Sequence, residues 1–101
     1  MNFQLVIQFR STARHGIEWL HALEDKLATS IGETGEVDGH DFGVGECNIF
    51  ILTNDPRSAF EYVKEHLLRE EDTDWKAAFR HVNEESFTVL WPSAEAPFEI
   101  A

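Results

Sequence analysis

Glu36-Val37-Asp38-Gly39-His40-Asp41-Phe42-Gly43-Val44-Gly45-Glu46-Cys47-Asn48-Ile49-Phe50-Ile51-Leu52 is the stretch on which the reading of this chain turns. Its second half is the most apolar run in the sequence. Ile49, Phe50, Ile51 and Leu52 are consecutive, so an extended segment here is hydrophobic on both faces and belongs in the interior of a sheet. Its first half has weak strand character interrupted by Gly39, as an edge strand often is. Gly43-Val44-Gly45 supplies a turn of hairpin length. The stretch predicts a hairpin with an edge strand over 35–42 and a central strand over 46–53.

Upstream, Phe3, Leu5, Ile7 and Phe9 alternate with Gln4, Val6, Gln8 and Arg10, the period-two pattern of a strand over 2–10 with one buried face. Ser11 and Thr12 can end that strand and cap the helix after it. Ile17, Leu20, Leu23, Leu27 and Ile31 recur at three- and four-residue steps and form a helical stripe. Gly16 leaves the helix start open between Ala13 and Ile17, and Gly32 sits where a helix end favours a left-handed residue.

Downstream, Asn54-Asp55-Pro56 is a helix start with Asp55 as cap and Pro56 at the first helical position, and Ala59, Phe60, Val63 and Leu67 make the buried stripe. Arg69-Glu70-Glu71-Asp72 ends this helix in solvent. Trp75, Ala78, Phe79 and Val82 fit either a strand over 75–82 or a short amphipathic helix capped by Asp74. The strand is preferred, because Phe87-Thr88-Val89-Leu90-Trp91 is a strand that needs a neighbour, and Asn83-Glu84-Glu85-Ser86 is a turn of hairpin length. Pro92 stops the last strand, and 92–101 reads as a loosely packed C-terminal extension.

The order is strand, helix, strand, strand, helix, strand, with one further C-terminal strand. The expected class is α+β over a single domain, 1–101, with two helices on one face of an antiparallel sheet. This order resembles the ferredoxin-like split βαβ arrangement over nearly the whole chain. That resemblance implies that strands one and three are central and that the second sheet face is open unless a partner or the tail covers it.

Asp38-Gly39, Gly43-Val44-Gly45-Glu46, Asn48-Ile49-Phe50-Ile51 and Thr53-Asn54-Asp55-Pro56, with the later Phe87-Thr88-Val89-Leu90-Trp91-Pro92, resemble a phrase of small standalone bacterial proteins of unassigned function. The resemblance implies a bacterial, cytoplasmic setting and brings no catalytic residue with it.

Composition narrows the function classes. The chain has 101 residues, 43% of them hydrophobic, enough for one core. With 8 Lys+Arg against 19 Asp+Glu, its formal net charge is -11. Such a surface repels nucleic-acid phosphates and anionic lipid, so a basic protein or a cationic ligand is the better partner. The lone Cys47 excludes an intramolecular disulfide and reads as a buried small hydrophobe. The N-terminal strand does not match a signal peptide, and no segment is long enough to cross a bilayer.

The chemical motifs are negative. No lysine comes after a glycine turn, so there is no phosphate-binding loop of the Gly-x-x-x-x-Gly-Lys type, and Glu36, Asp38, Asp41 and Glu46 would repel phosphate. Asp38, His40, Asp41, Glu46 and Cys47 combine hard and soft metal donors. Strand alternation, however, sends Glu46 and Cys47 to opposite faces, and the spacing fits no zinc or calcium loop, so neither metal nor cofactor is expected. His15, Glu18 and His21 spread around helix one, and neither His66 nor His81 falls in a recognisable acid or nucleophile motif. No catalytic residue is assigned.

Binding is the remaining class. If Trp75, Ala77 and Phe79 face the helices, then Lys76 and Arg80 face the open side with Gln8 and Arg10, and Asn48 joins from strand three. The expected function is a non-catalytic interaction module that binds itself as a homodimer or a basic protein. The alternative is a small-molecule binder or small enzyme using the open face and the hairpin residues Asp38, His40, Asp41 and Glu46.

Overall fold

A computed structural model describes residues 1–10, 16–43, 45–67 and 75–100. Strand β1 (Phe3–Arg10) is followed by helix α1 (Ile17–Ile31), a short 3-10 turn (Gly32–Thr34), strands β2 (Gly35–Gly43) and β3 (Glu46–Thr53), helix α2 (Pro56–Leu67), and strands β4 (Trp75–His81) and β5 (Thr88–Trp91). The expected cap at Ser11 and Thr12, His15, Val44 of the hairpin turn, the acidic run at 69–72 and Asp74 lie outside the described residues.

The five strands form one antiparallel sheet in the order β2-β3-β1-β4-β5. Strand β1 sits at its centre, bonded to β3 on one side and to β4 on the other. Leu5, Val6 and Ile7 have no exposed surface, and β1 pairs with β3 from Phe3↔Thr53 to Arg10↔Glu46 and with β4 from Phe3↔His81 to Phe9↔Trp75. The segment 75–81 is a strand. The short β5 pairs with it through Ala77↔Trp91 and Ala78↔Val89, and the Trp75 and Trp91 rings stack with centroids 5.0 Å apart.

Both helices lie against one sheet face. Leu20, Leu23, Leu27 and Ile31 of α1 and Ala59, Phe60, Val63 and Leu67 of α2 pack with Leu5, Ile7, Phe9, Cys47, Ile49, Ile51, Trp75 and Ala77 in one buried cluster. Burial of each large aliphatic side chain contributes roughly 1.5–3 kcal/mol, so this cluster is the main source of stability.

The helix ends obey the local chemistry. Helix α1 starts at Ile17, the late limit of the expected range, with Gly16 as its cap. Gly32 closes it with φ 51° and donates its N–H to Ala28 O, relieving an orphan carbonyl. Asp55 caps α2: its Oδ1 accepts from the Ser58 N–H at 3.1 Å and its Oδ2 from Ser58 Oγ at 2.9 Å. Those two bonds hold the Asp55 carboxyl below its ordinary pKa.

One irregularity reshapes the edge. The β2–β3 register shifts between Val37, opposite Ile51, and Gly39, opposite Phe50, leaving Asp38 as an extra residue. Gly39 has φ 123°, a conformation that an L side chain rarely adopts. The bulge reverses the alternation, so that His40 and Phe42 join the helix-facing side opposite Ile49 and Cys47.

Candidate functional site

Three register rows cross the sheet face turned away from the helices. Asp41, Asn48, Gln8 and Lys76 form one, Gly39, Phe50, Val6, Ala78 and Val89 the next, and Glu36, Leu52, Gln4 and Arg80 the third. Gln8, Asn48, Lys76 and Arg80, which alternation assigned to this face, do share it, and Arg10 lies opposite Glu46 at its end.

The face is not open. Val6, Asn48 and Ala78 have no exposed surface, although none of them belongs to the helix-side core. The C-terminal extension lies over this side: Lys76 Nζ donates to Pro97 O at 2.9 Å, Gln8 Nε2 donates to Glu99 O at 2.8 Å, and the Phe87 and Phe98 rings lie 5.0 Å apart. Asn48 is satisfied inside this layer. Its Oδ1 accepts from Gln8 Nε2 at 3.1 Å, and its Nδ2 donates to Glu46 Oε2 at 3.0 Å. Gln8, Glu46, Lys76 and residues 97–99 border a shallow, open cleft of about 440 Å³.

The cations near β4 and β5 are held in contacts of their own. Arg80 donates from Nε to Gln4 Oε1 at 2.9 Å and from Nη1 to Glu84 O at 2.6 Å, and its guanidinium lies 5.8 Å from the Phe87 centroid. Arg57 lies 5.4 Å from the Phe79 ring and Lys64 5.2 Å from the Trp91 ring.

The opposite edge carries the other sign. From Gly32 to Gly43, through the 3-10 turn and the edge strand β2, the chain has four carboxylates, Glu33, Glu36, Asp38 and Asp41, and neither Lys nor Arg. All four are exposed. Asp25 is exposed on the neighbouring α1, which also carries the exposed Lys26.

The hairpin residues do not converge. Asp41 lies opposite Asn48 on the tail-covered side, Glu46 bonds Gln8 and Asn48 there, and Asp38 is the exposed bulge residue. His40 points to α1, where its Nδ1 lies 3.0 Å from Glu24 Oε1 and its ring 5.5 Å from the ring of His21. Sequence reading missed Glu24 altogether. The one signal for it was the i, i+3 spacing of His21 and Glu24 beside the Leu20, Leu23 and Leu27 stripe, which puts both on one flank of the helix.

Cys47 is fully buried, and its thiol is pushed up to about 11, first by burial and then by the negative charges of Glu24 and Asp41. A thiol held neutral in this way is a poor nucleophile. Among the described residues, no helix is long and apolar enough to cross a membrane. No family model, no curated protein and no solved structure matches the chain.

Proposed function

We propose that this chain is a non-catalytic interaction module of ferredoxin-like split βαβ topology that binds a basic protein partner through its acidic β2 edge. The observation that carries the reading is the run of four exposed carboxylates over 32–43 with no Lys or Arg among them. Such a single-sign edge steers a basic surface toward it and repels a second copy of itself. Charges on an edge strand also block sheet-to-sheet pairing between like chains. Of the two partners that the sequence admits, a basic protein is therefore favoured over a homodimer, and the tail over the second sheet face argues in the same direction.

The ferredoxin-like assignment rests on the strand order, with β1 between β3 and β4 and β5 as an added edge strand. A bacterial, cytoplasmic setting belongs to the same reading and rests on the resemblance of the Asp38–Ile51 phrase. The cleft between sheet and tail supports a second reading, a small ligand held by Gln8, Glu46 and Lys76.

Light scattering coupled to size exclusion at low and physiological salt tests the choice of partner. A monomer at both salt concentrations is expected, and a salt-resistant dimer would overturn it. A ligand-dependent rise in melting temperature, abolished by Lys76→Ala, would favour the second reading.

A further inference from the structure

The structure assigns to His21, Glu24 and His40 a binding site for a divalent transition-metal ion of the zinc class. One donor atom from each residue lies within 4.8 Å of the other two. This inference does not depend on the identity of any protein partner.

Three features of the fold create the cluster. His21 and Glu24 are three residues apart on α1, so they project from the same flank, one turn apart. Helix α1 packs beside β2, and the bulge at Asp38 turns His40 onto the helix-facing side. Without the extra residue, His40 would sit on the other sheet face. Bulges that re-aim a side chain in this way recur next to functional sites.

The donor set selects the metal. Two imidazoles and one carboxylate are borderline ligands that suit Zn²⁺ and its first-row neighbours, whereas Ca²⁺ and Mg²⁺ require an oxygen shell. Three protein ligands leave a fourth tetrahedral position for water. Zinc bonds of roughly 2.0–2.2 Å place tetrahedral donors about 3.3–3.6 Å apart. Glu24 Oε1 and His40 Nδ1, 3.0 Å apart, are already close to that spacing.

Closure of the third side falls to His21, which is exposed and can rotate about its own side-chain bonds. The two half-buried members supply the fixed part of the site, with side chains 14% exposed for Glu24 and 26% for His40. The His40 ring is further held by an edge contact with Phe42 at 5.7 Å. A bare Glu24–His40 pair would be complete without His21. His21 adds a second imidazole beside that pair, its ring 5.5 Å from the His40 ring, and so supplies the third donor. The nearby Asp25, Asp38 and Asp41 add a negative field that raises the local cation concentration.

The test uses the chelator-stripped full chain titrated calorimetrically with zinc chloride, and with cobalt chloride to read coordination from visible absorption. One zinc per chain is expected, with tetrahedral cobalt bands and a raised melting temperature. His21→Ala and His40→Ala should each weaken binding roughly tenfold or more, the order of magnitude lost when a metal site is disturbed. Glu33→Gln with Glu36→Gln should retain it. Because His21 is exposed, its variant keeps the fold even if His40→Ala does not. Absence of zinc binding at millimolar metal would overturn the assignment. So would binding that His21→Ala leaves unchanged, or that the Glu33→Gln, Glu36→Gln variant abolishes.

Discussion

Lys76 Nζ donates to the carbonyl oxygen of Pro97 at 2.9 Å, across 21 positions of chain, and so ties the C-terminal extension to the fourth strand. With Gln8 Nε2 bonded to Glu99 O, this contact makes 97–99 a cover for the sheet face away from the helices. Truncation after Ser93 should therefore expose the Val6, Asn48 and Ala78 side chains. We expect a loss of about 1–3 kcal/mol in urea denaturation, the scale of one large apolar group and its hydrogen bonds, with increased binding of a hydrophobic dye. An unchanged midpoint would mean that the extension merely rests on the surface.

Ile51 is completely buried in β3, between Leu5 on β1 and Val37 on β2. Ile51→Asp places an uncompensated charge in that position, at a cost comparable to the roughly 5–15 kcal/mol that holds a domain together. The variant should show no cooperative thermal transition by circular dichroism. A native-like transition would contradict the placement of β3 in the sheet interior.

Gly35 begins β2 pressed against the facing strand. A Cβ built there would lie 2.8 Å from Leu52 O and 3.2 Å from Ile51 Cγ2, and the first of these is backbone that cannot swing aside. Gly35→Ala should cost about 1–3 kcal/mol by overpacking, measured as a shift in chemical denaturation. The backbone at Gly35 is extended, with φ −173°, so the penalty comes from the contact and not from the dihedral angle.

Cys47 links stability to alkaline pH. Its thiol goes from the ordinary 9.0 to about 11 in the folded chain, so between those values the unfolded chain has lost a proton that the folded chain keeps. The unfolded state then binds fewer protons and stability falls as pH rises, by up to about 3 kcal/mol across the window. Well below the ordinary thiol value the contribution is flat. Cys47→Ala should remove this slope while lowering stability at neutral pH through the lost packing, and a thiol reagent should react with the native protein only after unfolding. Prompt reaction of the native thiol at mildly alkaline pH would contradict the burial.

Much of this architecture was legible in the residues. Alternation from Phe3 to Arg10, the stripes Leu20-Leu23-Leu27-Ile31 and Ala59-Phe60-Val63-Leu67, and the Asp55-Pro56 cap each encode a local preference that tertiary packing reinforces. The strand over Trp75–His81 was legible only through its neighbour, since Trp75, Ala78 and Phe79 fit either period. Two features escaped. Burial of the second sheet face depends on carbonyl groups of Pro97 and Glu99, and backbone acceptors leave no mark in a sequence pattern. The meeting of His21, Glu24 and His40 depends on one extra residue at Asp38, and a bulge that reverses alternation cannot be read from a single glycine.

Recognition of a basic protein by the acidic edge stands or falls on charge reversal along β2. The wild-type chain and a Glu36→Lys, Asp38→Lys, Asp41→Lys variant would be immobilised in parallel and exposed to the same bacterial lysate at low salt. All three positions are exposed, so the substitutions should leave the melting temperature nearly unchanged. The expected result is a discrete basic protein that the wild type retains, that rising salt releases as the screening length shortens, and that the variant fails to hold. Equal retention by both chains, or no retained basic protein, would contradict a binding role for this edge.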